Sequence, residues 1–234
     1  VFQFDFPVQE LTLEYVVMPL AIVAMFAASI AAVFQQDVKR LLAYSSVAQV
    51  GYMLLGVALL SEAGLTAGII HLFNHAVTKG ALFMAVGCFV YQVGSSQLGD
   101  LKGIGKTMPW TTAALAAGGL SLIGVPLTVG FVSKWYLIQA SLETGTLLIA
   151  GLIVASSLIA VIYVWRIVEV AYLEPVPEGR PKQEAPLTML LPTYALVAAS
   201  IYFGINSELT SSAASQAATA LYSVTDLVSE GAAP

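Results

Sequence analysis

Six long apolar runs, near residues 12–34, 41–60, 66–93, 109–142, 147–172 and 187–205, fix the class of structure this chain can adopt. Each is long enough to cross a hydrocarbon layer of roughly 30 Å as a helix. No water in that layer satisfies open backbone groups, so internally bonded helices are expected. Charged residues make up 10% of the chain, against roughly 25% in a soluble domain. The reading is therefore an all-α integral membrane domain over residues 1–206, with about six spans. The tail at 207–234, rich in Ser, Ala and Thr, is expected to be loosely ordered or to lie as a short helix at the interface. No basic patch points to nucleic acid. Cys88 is the single cysteine, so it forms no internal disulfide or metal framework and reads as an inert packing residue. The chain begins at Val1, without an initiator Met or a basic leader region, and reads as part of a longer protein.

The charges between the runs carry an orientation. Lys39 and Arg40 follow the first run, Lys102 and Lys106 the third, and Arg166, Arg180 and Lys182 flank the end of the fifth. Six alternating spans put all seven on one side, and the excess of Lys and Arg marks that side as cytoplasmic. The opposite loops hold Glu62 and Glu143, and both chain ends are acidic (Asp5, Glu10, Glu14; Glu208, Asp226, Glu230). Both termini are thus expected outside. Glu169 is expected to pair with Arg166 or to face the interface.

Apart from Arg166 near the end of the fifth run, only Lys79 and Lys134 place basic charge inside the runs. A lysine at the centre of a span costs about 2.5–3.5 kcal/mol on insertion scales, so such residues usually face a polar interior. The stretch "HLFNHAVTK" holds both histidines of the chain, and His71, His75 and Lys79 follow one another at four-residue spacing. Each step turns about 400°, so the three stack along roughly 12 Å of one helix face. Asn74 and Thr78 widen the strip. Groups of matched proton affinity joined by water make a proton relay. Zinc can be held by two histidines at this spacing, but no Asp or Glu lies nearby as a third ligand, and no metal is expected. The second run adds Ser45, Ser46, Gln49 and Tyr52, able to hold water or to join helices.

The fourth run, 34 residues from Pro109 to Leu142, would be about 51 Å long as one helix. Its middle, "GGLSLIGVPLTVGF", combines Pro126 with flanking glycines, which weaken helix. Two half-helices joined by an extended stretch near Gly124–Gly130 are expected. Unwound backbone at membrane depth is tolerated inside protein or beside a cavity, and marks ion paths. Lys134 follows directly. The four buried cationic or protonatable groups have no carboxylate at comparable depth, so a counter-charge is expected on absent helices or a partner.

"DVKRLLAYSSVAQVGYMLLG" (Asp37–Gly56), "HLFNHAVTKGALFMAVG" (His71–Gly87) and "GLSLIGVPLTVGFVSKWYLI" (Gly119–Ile138) resemble the antiporter-like subunits shared by Mrp cation/proton antiporters and respiratory complex I. Members of that family have about fourteen helices in two inverted five-helix repeats. By this resemblance the chain looks like the last six, the C-terminal part of the fold. The resemblance implies that His71, His75 and Lys79 lie on a central hydrophilic axis and that Lys134 is the basic residue of the discontinuous helix. The family's glutamate–lysine pair belongs to the first repeat, which would lie outside this chain. M-type complex I subunits usually carry a carboxylate at the Lys134 position. The third motif looks most like the D-type component of Mrp antiporters, with the N-type component of complex I as the alternative. Gly80 departs from the family, which often has Ala there. The implied function is proton translocation, coupled to Na+ or another monovalent cation in the first case and to quinone reduction in the second. The implied partners are further membrane subunits, protons and monovalent cations within a bilayer. No cysteine cluster or nucleotide loop is present to hold a redox cofactor. A transporter component, more than an enzyme, is the expectation.

Overall fold

A computed structural model describes the backbone of residues 13–231 and the side chains of residues 15–223. The acids Asp5, Glu10, Glu14, Asp226 and Glu230, used above for orientation, lie outside the described side chains. The chain is all-helical over the described residues apart from its connections, with helices α1 (Leu13–Val33), α2 (Val38–Ala58), α3 (Glu62–Val93), α4 (Pro109–Ile123), α5 (Val129–Glu143), α6 (Leu147–Tyr172), α7 (Leu187–Ile205) and α8 (Glu208–Gly231). Five of them, α1, α2, α3, α6 and α7, are long and apolar enough to cross a membrane. The fourth apolar run forms two 15-residue half-helices, α4 and α5, in place of one long helix.

Capping moves two starts earlier than hydropathy predicts. Asp37 accepts a hydrogen bond from the Arg40 backbone N–H at 3.1 Å and opens α2 at Val38. Ser61 accepts one from Gly64 at 3.0 Å and opens α3 at Glu62, four residues before the apolar run. Side-chain oxygens at these positions satisfy N–H groups that a helix start leaves open. The cap of α4 comes from far away in sequence. Pro109 occupies its first turn, and Glu184 accepts hydrogen bonds from the Trp110 backbone N–H at 2.6 Å and the Thr111 hydroxyl at 2.8 Å.

α3 is the hub, in contact with α2, α4, α5, α7 and α8. Its 32 residues make a rod of roughly 48 Å, longer than the hydrocarbon is thick. Close approach to it depends on missing side chains: a Cβ on Gly80 would lie 2.9 Å from Leu196 of α7. The tail, expected to be loose or a short helix, is the 24-residue α8, with Ala214 and Ala218 buried.

The basic residues expected on one side do gather at one end. Asp37 pairs with Gln97 across two connections, Lys102 lies 3.7 Å from Glu174, and Arg180 donates to the Lys102 carbonyl at 2.8 Å and to that of Asp100. Arg166 is not paired with Glu169. It donates to the Val33 and Gln35 carbonyls at 2.7 and 3.0 Å, closing the end of α1, and Glu169 is exposed. Two free carbonyls at a helix end are the better-placed acceptors.

Candidate functional site

The fourth run breaks as expected, but not as an extended stretch. α4 ends at Gly124 with φ 96°, Leu127 has φ 72°, and the Thr128 N–H returns to the Val125 carbonyl at 3.3 Å. The connection is a pair of tight turns confined to residues 124–128, and Pro126 sits within it. Gly130, expected in the break, is inside α5. Its role is contact: a Cβ there would lie 1.7 Å from the Ser121 carbonyl oxygen. The bare α-carbon lets the two half-helices touch.

That touching point organises the end of α4. Ser121 takes part in hydrogen bonds with Thr78 of α3 at 2.9 Å and Ser200 of α7 at 3.1 Å. The next two carbonyls, Leu122 and Ile123, accept hydrogen bonds from Lys134 Nζ at 3.0 and 2.7 Å. Lys134 is only 5% exposed, so it does not reach out to an interface. Its ammonium caps the negative end of a broken helix, where unsatisfied carbonyls favour a cation. Nζ also lies 5.3 Å from the centre of the Tyr52 ring, within range for attraction to the ring face.

Lys79, 6% exposed, turns toward α2. It donates to the Leu42 carbonyl at 2.7 Å and makes a short hydrogen bond to the Ser45 hydroxyl. Ser45 and Ser46 in turn donate to the same carbonyl at 2.9 and 3.0 Å. Gln49 is buried on the same helix.

Between the lysines lie the histidines. His71 Nδ1 is 2.9 Å from the Ser133 hydroxyl, and its ring lies 5.3 Å from that of Tyr52. Asn74 donates to the Val129 carbonyl at 2.7 Å. His75 is within electrostatic reach of Lys79 and of His71, and His71 is within reach of Lys134. The spatial order is therefore Lys79, His75, His71, Lys134. Three polar atoms on this strip, His71 Nε2, His75 Nδ1 and Asn74 Oδ1, are buried without a hydrogen-bonding partner among the described protein groups. A buried polar atom left so costs about 1–3 kcal/mol; sites of this kind are met by internal water or carry a function. Beyond the His71 end, a cavity of about 540 Å³ is lined by Glu62, Glu143 and Glu208 with Thr66 and Tyr136.

Every polar residue expected at the site is thus buried or half-buried in the helix bundle, while Pro126 of the break is exposed. The four protonatable residues form one file. Sequence reasoning missed Ser133, although it directly precedes Lys134. It also missed Ser121, which lies in the quoted break motif, and the Leu42, Leu122 and Ile123 carbonyls, which no side-chain pattern can reveal.

Residues 1–160 match the family model described as NADH:quinone oxidoreductase/Mrp antiporter, transmembrane. The chain is 39% identical over 202 residues to NADH-quinone oxidoreductase subunit N of Desulforudis audaxviator, covering 81% of this chain and 40% of that protein. It is 33% identical over 170 residues to F(420)H(2) dehydrogenase subunit N of Methanosarcina mazei, covering 69% of this chain and 34% of that one. Among solved structures, a chain of the Mrp complex from Dietzia sp. DQ12-45-1b superposes with a TM-score of 0.83 at 27% identity, over 93% of this chain and 49% of that chain. The chain spans between about a third and two fifths of the length of these curated relatives.

Proposed function

Because the chain belongs to the NADH:quinone oxidoreductase/Mrp antiporter transmembrane family, we propose that it is a proton-translocating part of an N-type membrane subunit, working beside other membrane subunits. The observation that carries the reading is the buried file Lys79–His75–His71–Lys134, with both lysines held, among the described residues, by neutral oxygens. A lysine paired to a carboxylate is locked in its charged form, whereas one held by carbonyls and a hydroxyl can lose its proton without leaving an unpaired anion behind. The orphaned nitrogens and the Asn74 oxygen are spaced where water would bridge steps of roughly 6 Å between helix turns.

In this reading a proton enters at Lys79 and reaches Lys134 through the histidines. It leaves toward the acid-lined cavity at the Glu62 and Glu143 end, and the clustering of basic residues at the opposite end supports an exit on the outer side of a bacterial cell membrane.

The names of the curated relatives favour the N-type component of a quinone-reducing complex over the D-type Mrp component suggested by "GVPLTVGFVSKWYLI". The structural likeness to the Mrp complex supports cation/proton antiport as the second reading, and identification of the co-purifying subunits separates the two. The relay itself is tested by Lys79→Ala in the assembled complex reconstituted in vesicles. Proton flux should fall to background while subunit content is unchanged. Full flux from a well-assembled variant would sink the relay.

A further inference from the structure

Tyr163 of α6 is completely buried, in the apolar cluster that also holds Leu41, Leu42 and Leu82. Phenylalanine would fill that space equally well, and a buried tyrosine hydroxyl ordinarily finds a partner. Here it finds none among the described protein groups. It faces the Ser45 hydroxyl, the same group that takes the Lys79 ammonium, and it is within electrostatic reach of Tyr52. Tyr52, in turn, has its hydroxyl 3.3 Å from that of Ser157. Ser157 and Lys134 line one cavity of about 230 Å³.

We infer that Ser45, Tyr163, Tyr52 and Ser157 form a second proton file between Lys79 and Lys134, on the α2–α6 side of the bundle and parallel to the histidines of α3. It rests on the relay reading above and adds a branch to it. The carriers are hydroxyls joined by water. A proton arriving at Tyr163 Oη from one neighbouring water forms a new O–H bond as the original O–H proton leaves to the next water. The tyrosine therefore ends neutral, and no charged phenolate is required. Ser45 and Tyr52 are separated by about 10.5 Å of rise along α2, and Tyr163 is the hydroxyl that stands between them in the file.

The test uses the full complex in vesicles, comparing Tyr163→Phe, the double variant His71→Ala/His75→Ala, and all three changes together, with Lys79→Ala as the floor. Two parallel files predict that Tyr163→Phe alone stays within about twofold of the parent and that the double variant keeps a measurable flux. The triple variant should drop at least a further tenfold toward the floor, since a placed proton-transfer group contributes on the order of 10²–10⁴ in rate. Ser157→Ala in place of Tyr163→Phe should reproduce the drop without touching the apolar core, which separates loss of the file from loss of packing. The proposal is overturned if the triple variant conducts as well as the histidine double variant, or if that double variant is already at the floor. Undiminished flux in Lys79→Ala would instead overturn the underlying relay.

Discussion

Gly130→Ala sets helix propensity against packing, and the two predict opposite signs. Gly130 lies inside α5, where alanine is intrinsically favoured by about 0.8–1.0 kcal/mol. The structure opposes this, because the added Cβ would sit 1.7 Å from the Ser121 carbonyl oxygen and 2.8 Å from its carbonyl carbon. Contacts under 3.0 Å are essentially never tolerated at a Cβ, so the half-helices must part by about 1.3 Å, backbone against backbone. Overpacking of this kind costs typically 1–3 kcal/mol and occasionally more, which outweighs the propensity gain. The displaced segment carries the Leu122 and Ile123 carbonyls that hold Lys134 at 3.0 and 2.7 Å. A shift of that size takes them past the roughly 3.2 Å limit of a good hydrogen bond. Gly130→Ala should therefore lower both the melting temperature of the purified complex in detergent and its proton flux. Gly151→Ala in α6, whose Cβ would meet nothing within 4 Å, serves as the control and should be neutral or slightly stabilising. A Gly130→Ala variant as stable and as active as the Gly151→Ala control would refute the argument.

Three further outcomes follow from the same structure. Lys134→Arg keeps the charge but stays protonated under nearly all conditions, so its proton flux in vesicles should be as low as that of Lys134→Ala; normal transport would make Lys134 a fixed charge. Burial would push the Asp37 carboxyl up, but hydrogen bonds from Ser96 and from the Arg40 and Lys39 N–H groups, with the Lys39 charge, hold it below its usual 3.8. A carboxyl depressed on folding stabilises above the ordinary value and loses that contribution as pH falls through its lower folded value. Asp37→Ala should thus cost about 1 kcal/mol at neutral pH, as an N-cap loss, with the gap in denaturation midpoint shrinking below pH 3.8; a gap that widens in acid would contradict it. Cysteines placed singly at Lys102 and Glu62 in a Cys88→Ser background should be labelled by impermeant maleimide from the cytoplasmic and outer sides respectively, and the reverse pattern would invert the topology.

The spans, the broken fourth segment and the Lys79–His71 strip were legible in the sequence because hydropathy, helix period and the Gly and Pro positions are local properties. A run of apolar residues must become a helix in lipid, and residues four apart on it must share a face. What surrounds the lysines was not local. Charge counting finds no carboxylate near Lys79 or Lys134 and so expects a counter-ion elsewhere. Within this chain the tertiary structure supplies neutral oxygens, from Leu42 and Ser45 for Lys79 and from the cut end of α4 for Lys134. Backbone carbonyls belong to every residue, so no sequence pattern marks which of them are left unpaired, and only the docking of α5 onto α4 decides it. The same holds for Glu184 capping α4 across more than seventy residues, and for the Tyr163 hydroxyl, which an apolar run conceals until α6 is laid against α2.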